Sequence, residues 1–319
     1  MTHIVCGVDV CARFLDAALD LDSPPLRVAN TPEGAERLAA FCREHGVTLV
    51  VMEATGGYER LPYGVLWSQG IACALANPRQ VRRFAQSMGR LEKTDRIDAG
   101  VIARFGTVAR LHPQPPPGET QARLEALTTR LRQITAARAA TLNQRRLVAE
   151  PFVEASLART LAHLEEEIAT LEAAVAEMVE ADPLWARLAR EFRSIRGVGP
   201  RTVATLLAHL PEIGTLSNKA VAKLVGVAPL ACDSGTRQGR RSVRGGRATV
   251  RSILVLVAGL VARHDPAFRP IHERLTRAGK PKLVIRVALA RKLVLRLNAK
   301  ARDLRTAFSL QIAAKPEHT

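Results

Sequence analysis

The sequence predicts a mixed α/β amino-terminal layer on a central sheet, then a coiled coil, then a mostly helical and strongly basic carboxyl-terminal part. Three observations carry that prediction. Short apolar runs alternate with helical segments up to about residue 110, an order that folds into a sheet flanked by helices. Beyond a proline-rich break, apolar residues recur every three or four positions over many turns. From Ser234 to Arg302 there are 18 Lys and Arg against two acids, Asp265 and Glu273, yet apolar residues still recur there at helical spacing.

Taken in order, residues 3–8 form an apolar run ending at Asp9, residues 14–20 alternate, and 26–30 make a third short strand candidate. A helix is expected over 31–46, with Pro32 in its first turn and Gly46 as its stop. Residues 47–52 (Val-Thr-Leu-Val-Val-Met) are a second buried-type strand running into Glu53. After Ala54-Thr55-Gly56-Gly57 follow a helix over 58–69, a strand over 71–76 and a basic helix from 78 to about 88. His112-Pro113-Gln114-Pro115-Pro116-Pro117-Gly118 can be neither helix nor central strand and reads as a domain boundary. Past it, Leu124, Leu127, Leu131 and Ile134 keep helical spacing. Leu157, Leu161, Leu164, Ile168, Leu171, Val175 and Met178 then hold a 4-3-4-3 rhythm. That is a coiled-coil seam, either a hairpin bent near Pro151 or a contact between subunits. The expected division is 1–110, 119–186 and 187–308.

A formal charge of +17 and a pI near 10.8 call for a polyanionic partner. With no apolar run of about 18 residues and no signal peptide, a membrane partner is not expected. A cytoplasmic, nucleic-acid-associated protein is. The cysteines Cys6, Cys11, Cys42, Cys73 and Cys232 are scattered and form no Cys-x-x-Cys pair, so reduced, mostly buried thiols are expected rather than zinc or disulfides.

Four carboxylates carry the chemistry. Asp95 and Asp98 lie three residues apart at a helix start, with Thr94 as N-cap and Ile97, Val101, Ile102 and Phe105 continuing at helical spacing. Two anions on one helix face repel unless a cation sits between them or one takes a proton. The competing reading is that acids favour a first helical turn because of the helix dipole. Asp9 and Glu53 each end an apolar strand, where open α/β sheets build their sites. Hard oxygen donors in such a set suit Mg²⁺ or Mn²⁺.

In the basic part, the turn from Ile195 through Arg196, Gly197, Gly199 and Arg201 resembles a helix-hairpin-helix, whose backbone N–H groups meet phosphate; a plain Gly-Pro connector is the alternative. Ser234 lies between Asp233 and Gly235, in a loop with Arg237, Arg240, Arg241 and Arg244. A hydroxyl becomes a nucleophile when its proton is removed and nearby cations stabilise the developing charge; a turn serine is the competing reading.

Gly7-Val8-Asp9, Met52-Glu53-Ala54-Thr55-Gly56, Lys93-Thr94-Asp95-Arg96-Ile97-Asp98-Ala99, Gly197-Val198-Gly199-Pro200, Gly226-Val227-Ala228-Pro229 and Asp233-Ser234-Gly235 stand here in one order. The set resembles the DEDD transposases of the insertion sequence 110 family, over nearly the whole chain. That resemblance implies a ribonuclease-H-like fold of the Holliday-junction-resolvase type over about residues 1–110. It implies Asp9, Glu53, Asp95 and Asp98 as a tetrad holding Mg²⁺ or Mn²⁺, and Ser234 as the serine that attacks DNA and becomes joined to it. It further implies a structured RNA bridging donor and target DNA. Homo-oligomers (dimer or tetramer) follow too, in which the acidic domain of one subunit meets the serine domain of another. Thr236 stands where the family pattern has a Lys. The rival readings are a metal-dependent nuclease for branched DNA, a non-enzymatic nucleic-acid scaffold, and an actin-like kinase or ATPase.

Overall fold

Strand pairing decides the architecture of the amino-terminal part. Its sheet comprises β1 (Val5–Val10), β2 (Phe14–Ala18), β3 (Leu26–Ala29), β4 (Leu49–Glu53) and β5 (Cys73–Ala76), in the order β3-β2-β1-β4-β5. β1, β2 and β3 form an antiparallel meander, whereas β4 and β5 add parallel to β1. Parallel neighbours need crossovers, and α1 (Pro32–Glu44) and α2 (Arg60–Ser68) lie in them. Thr31 caps α1 by accepting from the Gly34 N–H at 3.2 Å, ahead of Pro32. The computed structural model describes residues 4–22, 24–89, 95–231, 239 and 241–313, with the side chains of 95–97 and 312–313 outside that description.

Both faces of the sheet are covered, which is why β1 and β4 read as unbroken apolar runs. Cys6, Val8, Leu15, Val50, Met52 and Cys73 pack on one side with Leu38 and Leu66. Val5, Leu49, Val51, Ala74 and Ala76 face the other, against Val81 and Ala85 of α3 (Pro78–Ser87) and Val101 and Ile102 of α4 (Asp95–Ala109). Cys6, Cys42 and Cys73 are buried free thiols, while Cys11 is free and exposed; Cys232 lies outside the described residues. The proline-rich stretch is docked where it begins. Gln114 donates its N–H to the Cys73 carbonyl at 3.0 Å, and the Tyr63 hydroxyl lies 2.8 Å from that carbonyl and 2.5 Å from that of Gln114.

The chain divides into two compact units, Met1–Pro117 and Gly118–Thr319. The second is helical: α5 (Glu119–Arg145), α6 (Pro151–Ala181), α7 (Pro183–Arg193), α8 (Pro200–His209), α9 (Asn218–Val225), α10 (Ala248–His264), α11 (Arg269–Arg277) and α12 (Lys282–Ala313). Two short strands, β6 (Pro229–Leu230) and β7 (Ser242–Val243), pair antiparallel between α9 and α10. Helices α5 and α6 fold back on one another through Leu131 and Ile134 against Leu164, Ile168 and Leu171, so the heptad residues serve contacts within one chain. Asp182 breaks α6 from α7 without a loop, its carboxylate accepting the Leu184 and Trp185 N–H groups at 2.9 and 2.8 Å. Leu124, Phe192, Leu206, Leu254, Phe268 and Leu293 belong to the main core of this unit. The fold expected from sequence, a mixed α/β sheet with a mainly helical remainder, is the fold observed.

Candidate active site

Register sets the positions of the acids in the first unit. Val8 pairs with Met52 across the parallel β1–β4 ladder, so the next residues, Asp9 and Glu53, are neighbours at the carboxyl ends of adjacent strands. Such strands lie about 4.8 Å apart. Gly7 and Val51, two residues earlier, face α4, and strand alternation turns Asp9 and Glu53 to that same face. Both are half-buried. On the far side of Asp9 the row continues: Asp9 pairs with Asp16 on β2, and Asp16 with Arg27 on β3. Asp16 is only 3 % exposed and takes two hydrogen bonds from the Arg27 guanidinium, at 2.7 and 2.8 Å.

Helix α4 brings the remaining acids to this end of the sheet. A Cβ on Gly7 would stand 2.2 Å from both the Ala99 carbonyl oxygen and the Ala103 nitrogen. One on Gly106 would meet Val51 Cγ2 at 2.7 Å and Val5 Cγ1 at 2.9 Å. The helix therefore passes from above Gly7 back towards Val5, and its first turn starts from the Asp9 end. Asp95 opens that turn and the half-buried Asp98 follows it. The Asp95 side chain and Thr94 lie outside the described residues. Among the described residues no three His, Cys, Asp or Glu side chains are close enough together to hold a metal ion. In kind, the set of Asp9, Glu53, Asp95 and Asp98 fits a hard divalent cation, because every donor is a carboxylate.

The loop after Glu53 is held by a residue that the sequence reading passes over. Glu59, 9 % exposed, accepts the Gly57 and Thr55 N–H groups at 2.9 and 3.2 Å. Gly56 and Gly57 take positive φ values of 83° and 117°, which their lack of a Cβ permits. Asn30 ties this loop to the end of β1 by donating to the Cys11 and Tyr58 carbonyls at 2.9 and 3.1 Å. The spacing Glu53-x₅-Glu59 is the only sequence signal for this brace, and nothing in it tells a loop brace from a surface acid.

In the second unit, Ser234, Arg237 and Arg240 lie outside the described residues; Arg241 and Arg244 are exposed. β6 and β7 flank this stretch in the sequence and pair with each other, and glycines from either side of it meet closely. A Cβ on Gly246 would meet the Gly226 nitrogen at 2.4 Å, and one on Gly226 the Gly245 carbonyl oxygen at 2.2 Å. Arg247 adds a clamp, its guanidinium donating to both Glu212 carboxylate oxygens at 2.6 and 2.5 Å and to the His209 carbonyl at 3.0 Å. Burial, the largest influence, raises the Glu212 carboxyl, but the Arg247 hydrogen bonds, its own backbone N–H and the Arg247 charge together outweigh it and hold the group below its ordinary range. Burial likewise lowers the His209 imidazole.

Helices α7 and α8 flank the turn that resembles a helix-hairpin-helix. Gly197 has φ 98°, and a Cβ there would meet the Val261 nitrogen of α10 at 2.9 Å, so close helix packing requires this glycine. Gly199 faces open space and caps α8 without a side chain. Arg196 is exposed, whereas the Arg201 guanidinium pairs with Glu172 on α6.

Asp9 and Glu53 side by side at the carboxyl edge of a mixed sheet, on a chain with a basic helical second unit, point to a nucleic-acid-processing class of protein. Comparison with known proteins narrows it. A transposase model of the IS110 DEDD type matches residues 6–150, and one described as "Transposase IS116/IS110/IS902 family" matches 189–273. The chain belongs to the IS110 family of transposases. It is 25 % identical over 313 residues to the "Pilin gene-inverting protein" of Moraxella bovis, covering 92 % of this chain and 94 % of that protein. The protein of the same name from Moraxella lacunata matches to the same extent. The "Insertion element IS110 uncharacterized 43.6 kDa protein" of Streptomyces coelicolor is 33 % identical over 154 residues, 48 % of this chain and 37 % of that one. Among the described residues, no helix is long and apolar enough to cross a membrane.

Proposed function

We propose that this protein moves an insertion-sequence element by cutting and rejoining DNA through Ser234, with Asp9, Glu53, Asp95 and Asp98 as the acidic half of the site. The observation that carries the reading is that Asp9 and Glu53 follow directly on the last paired residues of β1 and β4, with a helix that starts with Asp95 and Asp98 laid on that face, in a chain of the transposase family. The amino-terminal unit is read as ribonuclease-H-like, which its β3-β2-β1-β4-β5 order supports. The heptads of α6 are read as part of a coiled coil. The four acids would hold Mg²⁺ or Mn²⁺, which when bound polarises the scissile phosphate and favours loss of the attacking proton.

The chain's own groups do the rest. Ser234 Oγ bonds to phosphorus as one phosphorus–oxygen bond to a sugar breaks; the serine proton leaves and the released sugar hydroxyl takes one up. Arg237, Arg240, Arg241 and Arg244 offset the charge that develops on the phosphate oxygens. Arg196 and Gly199 contact the DNA backbone, while Gly197 packs against α10 and Arg201 pairs with Glu172. A structured guide RNA pairing donor and target, and a dimer or tetramer in which one copy's acids meet another's serine, complete the reading on family grounds.

The test is a denaturing gel of purified protein incubated with element-end DNA and Mg²⁺. The parent chain forms a covalent protein–DNA adduct; Ser234→Ala forms none while still shifting DNA on a native gel, and Asp98→Asn neither cuts nor joins. Adduct persisting in Ser234→Ala excludes the serine. Cleavage persisting without adduct leaves a water-using nuclease, and unchanged processing by Asp98→Asn leaves a scaffold.

A further inference from the structure

We propose that the Arg27–Asp16 pair is an internal counter-ion, which keeps the carboxylate beside Asp9 out of the cation site and fixes the charge presented there. The proposal rests on the reading of the acidic end as a cation site. Arg27, Asp16 and Asp9 form one row of ladder pairs across three strands, and Glu53 continues it on the fourth, one residue past the last β1–β4 pair. Leu15, Ala17 and Val28, the neighbours of Asp16 and Arg27, pack on the opposite face, so the whole row projects towards the α4 side. Like charges directly opposite on a ladder repel, and a buried carboxylate without a partner is strongly destabilising. An apolar residue at position 16 would avoid both penalties.

Asp16 is nonetheless an acid, and its geometry shows how it is accommodated. Its two oxygens each accept from the guanidinium, one from Nε and one from Nη2. Arg27 is anchored in turn, lying 5.4 Å over the Phe14 ring. With both oxygens committed, Asp16 is a poor candidate for a fifth ligand. The row then presents Asp9 and Glu53 to an incoming cation, with the Asp16 charge already offset. Arg27 and Asp16 are positioning residues here: they act through Asp9 and touch no substrate.

Mn²⁺ binding to the full chain, measured by isothermal titration calorimetry with no DNA present, tests this. Asp16→Asn removes the carboxylate and leaves the Arg27 charge beside Asp9, so Mn²⁺ binds on the order of tenfold more weakly. Arg27→Gln leaves Asp16 without its guanidinium, so Mn²⁺ binds about tenfold more tightly or in an additional equivalent. Arg27→Lys keeps the charge and parental affinity, and the double variant Asp16→Asn/Arg27→Gln returns close to it. A pair that only braces the strands would lower the melting temperature of both single variants and leave affinity unmoved. Should Arg27→Gln fail to fold, the isosteric Asp16→Asn still decides. Parental affinity in Asp16→Asn, or shifts of the same sign in the two single variants, overturns the proposal alone. A parent chain that binds no Mn²⁺ overturns the cation reading as well.

Discussion

The two units hold their candidate site regions by different means. In the first, a five-stranded ladder and one helix laid on it bring Asp9, Glu53 and the start of α4 to one end of the sheet, so each position follows from many regular hydrogen bonds. In the second, the described residues on either side of 232–238 are held by two two-residue strands, one glycine-to-glycine approach and one Arg–Glu clamp. A ladder shares its load among many bonds and fails cooperatively. A clamp can fail by itself and leave its surroundings folded. The acidic end should therefore be lost only with its whole unit, and the β6–β7 pair should be adjustable one contact at a time.

The sharpest way to break this comparison is Gly7→Val. The new side chain would drive into the α4 backbone at Ala99 and Ala103, which no rotamer change relieves. We expect a loss of about 3 kcal/mol or more, typical of severe overpacking in a core. Limited proteolysis read by mass spectrometry should then show cuts throughout residues 4–117 while fragments from the second unit survive. A Gly7→Val chain that melts like its parent would show that α4 is held less closely than the geometry states.

Much of the first unit was legible because its signals are local. Apolar runs bounded by Asp9 and Glu53, the Pro32 and Gly46 punctuation, and the helical spacing from Asp95 each sit within a few residues. Observed element ends fall close to those expected; β1 runs one residue beyond Asp9, to Val10. What escaped was pairing. Nothing in the alternation of residues 14–20 sets Asp16 apart, and only the β1–β2 register places it opposite Asp9. Gly197 drew a phosphate-binding reading from its motif, while its contact with α10 depends on a helix more than fifty residues later. Arg247, one Arg in a basic run, gave no hint of Glu212, 35 residues before it.

A smaller effect sharpens the second half of the comparison. Gly246→Ala adds a methyl against the Gly226 backbone and strains a residue with φ 72°. About 2 kcal/mol is expected from the left-handed backbone and the overlap together. Hydrogen exchange should increase around β6 and β7 and remain parental in the core helices α8 and α10. Uniformly faster exchange across the unit would mean that the hairpin is part of the core's cooperative network and not a separable clamp.

The smallest expected effect concerns Glu212 and depends on pH. Its carboxyl is held below the ordinary value of 4.5 because the Arg247 hydrogen bonds, a backbone N–H and the Arg247 charge together outweigh the burial that opposes ionisation. A carboxyl depressed in the folded state binds protons less readily there than in the unfolded chain. Its contribution is therefore complete above about pH 4.5 and is lost as pH falls through the folded value. Each side chain of the pair is 36 % exposed, so solvent screening keeps the contribution under about 1 kcal/mol. Glu212→Gln should melt slightly below the parent at pH 7 and converge on it below pH 4, while His209, lowered by its burial, adds a separate slope nearer neutrality in both chains. A difference that stays constant from pH 7 to pH 3 would mean that Arg247 is held by the His209 carbonyl and its neighbours, with the carboxylate charge contributing nothing.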